Sequence, residues 1–379
     1  MEQDFSYQKI TNILDLSVDP SLQILSLYNN EISQIDGLSS LISLQTLWLS
    51  QNQITRIEGI SSLISLQKCS LHDNRISRIE GLSNLTSLQH LSLHNNQITR
   101  IESISSLISL QMLLVSRNQI SQIEGLSNLT LLDTLYLDSN VITQIEGLSS
   151  LTLLRRLYLC CNEITRIEGL SSLTLLQNLV LGNNNISRIE GLSMLISLQS
   201  LSLPSNEITR IEGLSTLISL QQIWLDDNQI TRIEGLSMLT SLRNLSLSGN
   251  QISRMVGLSS LTSLEGLWLE NNQITQIEGL SHLTLLKELE LDSNQISNEE
   301  LEYRDNLLKR NKRIAWENVH SEFLEYCLAI VPLNLPVLIQ IHIFNFNSYD
   351  NHRYKKWQIA KSVKRYWWVK YDNSYMTHN

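Results

Sequence analysis

Three histidines and a carboxylate form the first group of residues whose types could do chemistry. His72, His90 and His94 occur close together in the sequence, and Asp73 adjoins the first of them. Imidazole and carboxylate groups are zinc ligands, so these side chains could hold a metal ion if they converged. None of the short ligand spacings typical of zinc sites is present, and we therefore predict no metal site.

Cysteines form the second group. Cys160 and Cys161 are adjacent, and an exposed thiolate at this place could be reactive, whereas Cys69 stands where other repeats have a core leucine. The sequence contains no phosphate-binding glycine loop, no zinc-protease helix motif and no nucleophile elbow. We therefore predict that the protein is not an enzyme, needs no cofactor and has no small-molecule substrate.

All of these residues lie within an internal repeat, which must position them. A leucine recurs at every twenty-second position without any insertion. The thirteen copies are Leu22, Leu44, Leu66, Leu88, Leu110, Leu132, Leu154, Leu176, Leu198, Leu220, Leu242, Leu264 and Leu286. The unit that begins at Leu44 matches the leucine-rich pattern L-x-x-L-x-L-x-x-N-x-I. Thirteen such units predict a solenoid in which each unit forms one coil.

The repeated positions have separate physical reasons. Leucines alternate with other residues in the Leu-x-Leu segment, which predicts a short strand with both leucines on one side. Stacked copies would form a parallel sheet with strands about 4.8 Å apart. An asparagine such as Asn52 follows the strand, where its amide could satisfy backbone groups of the turn. Gly59 and its equivalents mark a turn that needs positive φ or close packing, although Ser103 replaces the glycine once.

These features predict an α/β fold, a curved leucine-rich-repeat solenoid with a parallel β-sheet on its concave side and a mainly helical C-terminal cap. Caps are expected at both ends because no coil buries its apolar side alone. We predict an N-terminal cap over residues 1–21, thirteen 22-residue repeats over 22–298, and a C-terminal cap with a basic aromatic tail over 299–379. Residues 299–313 read as a helix with Tyr303 and Leu307 on its apolar face.

One class of 22-residue repeat is especially similar. Residues 52–60 and 228–236 read Asn-Gln-Ile-Thr-Arg-Ile-Glu-Gly, followed by Ile or Leu. This segment resembles the SDS22-like leucine-rich repeats, and the resemblance covers roughly residues 20–300. The founding family regulates type 1 serine/threonine phosphatases by gripping the catalytic subunit with the concave sheet, so the resemblance implies such a partner. Bacterial internalins also use 22-residue units, but they are secreted.

Comparison of the thirteen copies with one another locates a candidate binding face. Strand positions that vary between copies point outward, onto the concave face, and they carry aromatic and acidic residues. Exposed aromatics are the usual anchors of protein interfaces, and neighbouring acids would steer a basic partner. The predicted partner-binding residues are Trp48, Tyr136, Tyr158, Trp224, Asp226, Asp227, Trp268, Glu270, Glu288, Glu290 and Asp292.

Two interpretations of this face stay open. The resemblance to phosphatase regulators implies partner contact for the aromatic and acidic residues of two strands, namely Trp224, Asp226, Asp227, Trp268 and Glu270. The alternative is a solvated sheet face, on which the differences between near-identical copies are only drift.

Charge and cysteine usage restrict the partner and the compartment. Residues 1–300 carry a net charge of −14 and residues 301–379 one of +5, which together make the overall −9. An acidic body disfavours nucleic acid and favours a protein partner with a basic surface. Four cysteines make no disulfide framework, and the N-terminus does not read as a signal peptide. We therefore expect an intracellular protein, cytoplasmic or nuclear.

The C-terminal region differs in composition and supports a second functional hypothesis. It holds 14 of the 22 aromatic residues of the chain. Residues 323–344 are apolar but include Pro332 and Pro336, so we expect neither a membrane helix nor membrane contact of the tail. The Leu335-Pro336 pair and the isoleucine-rich run after it faintly resemble an F-box. The alternative function is therefore a substrate-recognition adaptor of a ubiquitin ligase.

Overall fold

A single parallel sheet runs the length of the repeat region. The computed structural model describes residues 1–319, and residues 1–315 form one compact unit. In this part of the chain 14 strands follow one another in sequence order. The strands are β1 (Glu2–Asp4), β2 (Ile24–Ser26), β3 (Thr46–Trp48), β4 (Lys68–Ser70), β5 (His90–Ser92), β6 (Met112–Leu114), β7 (Thr134–Tyr136), β8 (Arg156–Tyr158), β9 (Asn178–Val180), β10 (Ser200–Ser202), β11 (Gln222–Trp224), β12 (Asn244–Ser246), β13 (Gly266–Trp268) and β14 (Glu288–Glu290). The predicted leucine-rich-repeat solenoid is thereby confirmed.

Leucine and isoleucine side chains on one side of the sheet form the core. The leucines that recur once in every repeat, from Leu22 to Leu286, are fully buried. Cys69 takes the place of a strand leucine and is buried as predicted. These side chains belong to one continuous cluster that reaches from Ile13 to Leu307. Full burial of one leucine contributes roughly 1.5–3 kcal/mol, and in a solenoid much of the covering surface belongs to adjacent coils.

An asparagine in every coil joins that coil to the one before it, and we call this row of asparagines the asparagine ladder. Asn184 is typical, because its Nδ2 donates to Leu181 O of its own coil at 3.0 Å and to Leu159 O of the preceding coil at 2.9 Å. Its Oδ1 accepts from the backbone N–H of Ile164 in the preceding coil at 3.0 Å. The same pattern recurs at Asn30, Asn52, Asn74, Asn96, Asn118, Asn140, Asn162, Asn206, Asn228, Asn250, Asn272 and Asn294. The predicted role of this asparagine is confirmed.

The glycine that follows the acidic residue is required by the turn. Gly191 has a φ of +74°, and a Cβ there would collide with the carbonyl oxygen of Ile167 in the preceding coil. A left-handed backbone and so close an approach both favour glycine. Where Ser103 replaces it, residues Glu102–Ile104 form a 3₁₀ helix, and Ser103 avoids positive φ. One coil thus makes the same turn by a different backbone route.

A second left-handed position occurs in every coil, and the sequence did not indicate it. It is the residue just before the ladder asparagine, where φ lies between 53° and 69°. Asparagine, aspartate and glycine adopt this conformation readily, but Gln51 and Arg117 do not favour it. The hydrogen bonds of the following asparagine hold the turn, so the conformation is imposed by the stacking rather than by the residue type.

Residues before the first repeat extend the sheet. β1 pairs in parallel with β2, with Gln3 opposite Leu25. Asn30 of the first coil donates to Phe5 O at 2.9 Å, as the later asparagines do to their preceding coils. The N-terminal segment therefore offers the first coil the same backbone partners that every other coil finds in its neighbour.

A helix follows the last coil. α1 spans Asn298–Val319, which confirms the predicted helix and extends it beyond residue 313. Leu307 is buried, and Asn311 Nδ2 donates to Leu283 O at 3.0 Å. The prediction that Tyr303 lies on the buried face is wrong, because its side chain is 45% exposed and Arg304 is buried instead. Within residues 1–319 we find no helix with the length and apolar character needed to cross a membrane.

The asparagine ladder makes a prediction about stability. Asn184→Ala would leave the Ile164 N–H without its partner, while the Leu159 carbonyl would keep its bond from Asn162 Nδ2. A buried unsatisfied group costs about 1–3 kcal/mol. We expect a lower midpoint of urea denaturation, with a loss of about 1–3 kcal/mol in the free energy of unfolding. The matched control is Asn185→Ala, an exposed neighbour whose backbone bond to Ile164 O survives. Equal midpoints for the two variants would contradict the role given to the ladder.

Candidate protein-binding face

One side of the sheet faces the core, and the other side faces away from it. The strand register aligns the residues between the two strand leucines in one row across the sheet. A second row lies two residues further along each coil, from Tyr28 to Asp292. We call these two rows the sheet face. The predicted partner-binding residues lie in them, except Asp227, which is in the following turn, and Glu288, which begins β14.

Two tryptophans on the sheet face lean toward each other. Trp224 and Trp268 are separated by β12, so their backbones lie about 9.6 Å apart at ordinary strand spacing. Their ring centroids are nevertheless only 5.6 Å apart, with 28° between the ring planes. Ser246 occupies the register position between them and is only 4% exposed. The two indoles therefore close over Ser246 and form one broad apolar platform.

A glycine makes this arrangement possible. Gly266 shares a strand and a face with Trp268, and a Cβ at Gly266 would collide with the indole atom Cη2. The absence of a side chain lets the indole lie over its own strand. The sequence gives no sign of this role of Gly266, because glycine within a strand is usually a sign of close backbone approach rather than of a neighbouring ring.

A second aromatic pair occurs on directly adjacent strands. Tyr136 and Tyr158 face each other across β7 and β8, and their rings are stacked at 4.2 Å and 1°. Burial raises the pKa of Tyr158. Trp48 is half-buried on β3, and among the described residues it stacks on no other ring. The structure thus groups the predicted aromatics into two pairs and one separate tryptophan.

Acidic side chains adjoin the tryptophan platform. Asp226 is half-buried and accepts a hydrogen bond from Ser246 Oγ, and Glu270 accepts one from Ser248 Oγ. Burial raises the pKa of Asp226 above its ordinary value of 3.8, although the Ser246 bond opposes this. Asp227 is exposed and holds the left-handed turn position of its coil. The platform is therefore bordered by carboxylates held in place by serines.

The last strand adds a group of like charges. Glu288, Glu290 and Asp292 alternate along the exposed side of β14 and the following turn. Burial raises the pKa of Glu290, and the charges of Asp292 and Glu270 raise it further, while Arg304 of α1 opposes the shift. This end of the face carries a negative field that a basic partner would relieve.

The histidines lie elsewhere on the same face. His72, Asp73 and His94 come together, whereas His90 is not part of their group. Among the described residues this is the one cluster whose side chains could hold a metal ion.

The cysteine pair gives no reactive thiol at Cys160, because burial raises the pKa of that thiol to about 12.

Comparison with protein-family models shows to which family this chain belongs. The model described as Leucine Rich repeats (2 copies) matches residues 20–63, 64–106, 108–150, 152–194, 196–238, 240–282 and 262–305. The chain belongs to the leucine-rich-repeat family. Proteins of this family generally act in protein–protein interaction, and their fold is typically a non-catalytic scaffold. A search of curated protein sequences finds no match.

Several solved leucine-rich-repeat structures are similar over most of the chain. A leucine-rich-repeat protein of Leptospira interrogans is 30% identical, covers 80% of each chain and has a TM-score of 0.72. The internalin InlF of Listeria monocytogenes is 28% identical over 82% of this chain and 84% of its own, with a TM-score of 0.65. TLR13, solved as a complex with ssRNA13, is 26% identical over 76% of this chain and 49% of its own, with a TM-score of 0.63.

The raised pKa of Asp226 makes a prediction about pH and stability. The unfolded chain loses this proton at lower pH than the folded chain does. Stability therefore falls as pH rises from the ordinary pKa of 3.8 through the raised pKa of the folded protein. We expect Asp226→Asn, which can still accept from Ser246, to raise the midpoint of urea denaturation at neutral pH. The gain should vanish in acid, where Asp226 is protonated in both states.

The control for this prediction is Glu207→Gln, which removes one exposed carboxylate. We expect it to change the midpoint little at either pH. An Asp226→Asn protein that is less stable than wild type at neutral pH would show that the carboxylate is needed by the fold.

Proposed function

We propose that this protein is a non-catalytic scaffold that binds another protein on its sheet face. The single observation that carries the proposal is the platform of Trp224 and Trp268 with Asp226 and Glu270 beside it. Leucine-rich-repeat proteins generally work in this way, and the aromatic and acidic residues supply what such an interface needs. Binding is centred on β11 to β14, and Tyr136 and Tyr158 form a second contact region.

The tryptophan platform is suited to act as an anchor. The two indoles are already stacked over Ser246, so little side-chain freedom remains to be lost when a partner covers them. Stacked aromatic pairs gain about 0.5–1.5 kcal/mol beyond their buried area, which keeps the platform formed before binding. Tryptophans in such central positions are the residues whose truncation most often costs binding energy.

The acidic border selects a basic partner. Burial disfavours the charged form of Asp226 and Glu290, so their carboxylates cost the free protein some stability. A basic partner would recover that cost by pairing with them, and it would be attracted over a distance by the charge of the face. The same field disfavours the phosphates of a nucleic acid, even though the structural neighbour TLR13 is solved with an RNA.

The first candidate partner is the catalytic subunit of a type 1 serine/threonine phosphatase. The support is the resemblance of residues 52–60 and 228–236 to SDS22-like repeats, whose founding members regulate that enzyme. The aromatic and acidic strands around Trp224 and Trp268 are the part of the face that the resemblance assigns to phosphatase contact.

A ubiquitin-ligase adaptor remains the alternative function. Its support is the Leu335-Pro336 segment, which lies outside the described residues, as do residues 323–344 and the basic aromatic tail. We also propose an intracellular location, cytoplasmic or nuclear. The cysteines of the described part, Cys69, Cys160 and Cys161, are all free thiols, which suits a reducing compartment.

The experiment compares binding of wild type and of Trp224→Ala/Trp268→Ala to a purified type 1 phosphatase catalytic subunit by biolayer interferometry. Loss of the platform should cost about 2 kcal/mol or more, which is about thirtyfold in Kd. The control is Ile196→Ala/Ile218→Ala, which removes two exposed apolar side chains outside the strands. It should bind as wild type does.

Two results would contradict the proposal. Equal Kd values for the platform variant and wild type would show that the partner docks elsewhere. No binding by wild type would exclude the phosphatase, and a lysate pull-down with the same three proteins would then test protein binding itself. A ubiquitin-ligase adaptor captured by all three would favour the alternative function.

A further inference from the structure

Two adjacent coils bring a pair of imidazoles and a carboxylate together. His72 and Asp73 follow β4, and His94 follows β5 at the equivalent position. The imidazole rings are stacked, with centroids 4.3 Å apart and 10° between their planes. His72 Nδ1 lies 2.8 Å from Asp73 Oδ2. One ligand atom from each of the three side chains lies within 4.8 Å of the other two.

Neighbouring polar groups orient two of these side chains. Ser92 Oγ and His94 Nδ1 are 2.9 Å apart, and Asn95 Nδ2 donates to Asp73 Oδ1. The backbone N–H of Asp73 donates to His94 O at 3.1 Å, which fixes the two turns relative to each other. Outer hydrogen bonds of this kind hold the ligands of protein metal sites in position.

We propose that His72, Asp73 and His94 form a binding site for a divalent transition-metal ion, most simply Zn²⁺. Two imidazoles and one carboxylate are a donor set that zinc accepts, with a fourth position left for water or an outside ligand. Ions that prefer oxygen ligands alone, such as Mg²⁺ or Ca²⁺, are disfavoured by the two nitrogens. The ion would replace the hydrogen bond that now links His72 to Asp73.

Only small movements are needed to close the site. Zinc bonds of about 2.0–2.1 Å in a tetrahedron place ligand atoms about 3.3 Å apart. The 2.8 Å contact between His72 and Asp73 is already close to this separation, and His94 must approach. All three side chains are partly exposed, so the parallel rings can tilt toward a shared ion without any change in the core.

Repeat register explains why the site exists in one place. Among the thirteen coils, histidine occupies the second row only at His72 and His94, and these coils are adjacent. Asp73 is also the left-handed residue of its coil, with φ at 55°. The two histidines are therefore one full repeat apart in sequence but one strand apart in space, a spacing that no linear metal motif contains.

The test is isothermal titration of the full chain with ZnCl₂ after removal of metals by a chelator. We expect one site per chain in wild type. The variant His72→Gln/His94→Gln should bind zinc more weakly by more than about tenfold, since loss of even an outer group can cost a metal site that much. The control is His90→Gln/His282→Gln, which removes two histidines outside the cluster and should retain the site.

A second variant guards against an effect on folding. Asp73→Asn keeps a residue suited to the left-handed turn, and it too should weaken zinc binding while its urea denaturation without metal remains cooperative, which shows that it is folded. Histidines beyond residue 319 contribute the same background to every variant. Equal zinc affinity in the His72→Gln/His94→Gln variant and its control would overturn the proposal, as would a wild type that binds zinc no better than the His72→Gln/His94→Gln variant.

Discussion

Each 22-residue coil depends on its neighbours to bury its apolar side chains and to satisfy the backbone groups of its turn. Its apolar side has no cover of its own, and its turn leaves a backbone N–H, such as that of Ile164, which donates to the asparagine of the next coil. Asn184 shows the second dependence directly, because its amide bonds to Ile164 and Leu159 of the preceding coil. A constant repeat length follows from this dependence. An insertion in the wrong place would move the asparagine away from its backbone partners and the leucines away from the leucines of the adjacent coils.

The same register that builds the core also creates the chemistry of the sheet face. Residues that are one repeat apart in sequence become neighbours about 4.8 Å apart in space. Tyr136 meets Tyr158 in this way, and His72 meets His94. Interior positions are restricted by packing, so the face is where the coils can differ. A binding platform and a metal site can therefore coexist on one scaffold without any change to its interior.

Much of the fold was predictable because each rule acts within one repeat. The alternating leucines, the asparagine and the glycine all have local signals, and thirteen copies make those signals unambiguous. The second left-handed position was not predictable, because residues as different as Gln51 and Arg117 occupy it. At the candidate site, the rows of the sheet face could be read from the sequence. The lean of Trp268 over Gly266 could not, because it depends on a side-chain contact rather than on residue type. The register itself places His72 beside His94, but it does not show the contact of His72 with Asp73.

Hydroxyl-radical footprinting of the partner complex tests the central claim, that the sheet face is the binding surface, most directly. It reports the exposure of individual side chains, and the chain carries internal references in Met194 and Met238, which are 53% and 55% exposed and lie outside the strands. We predict that a bound partner lowers oxidation of Trp224 and Trp268 while both methionines stay as reactive as in the free protein. Protection of the methionines with no change at the two tryptophans would contradict it.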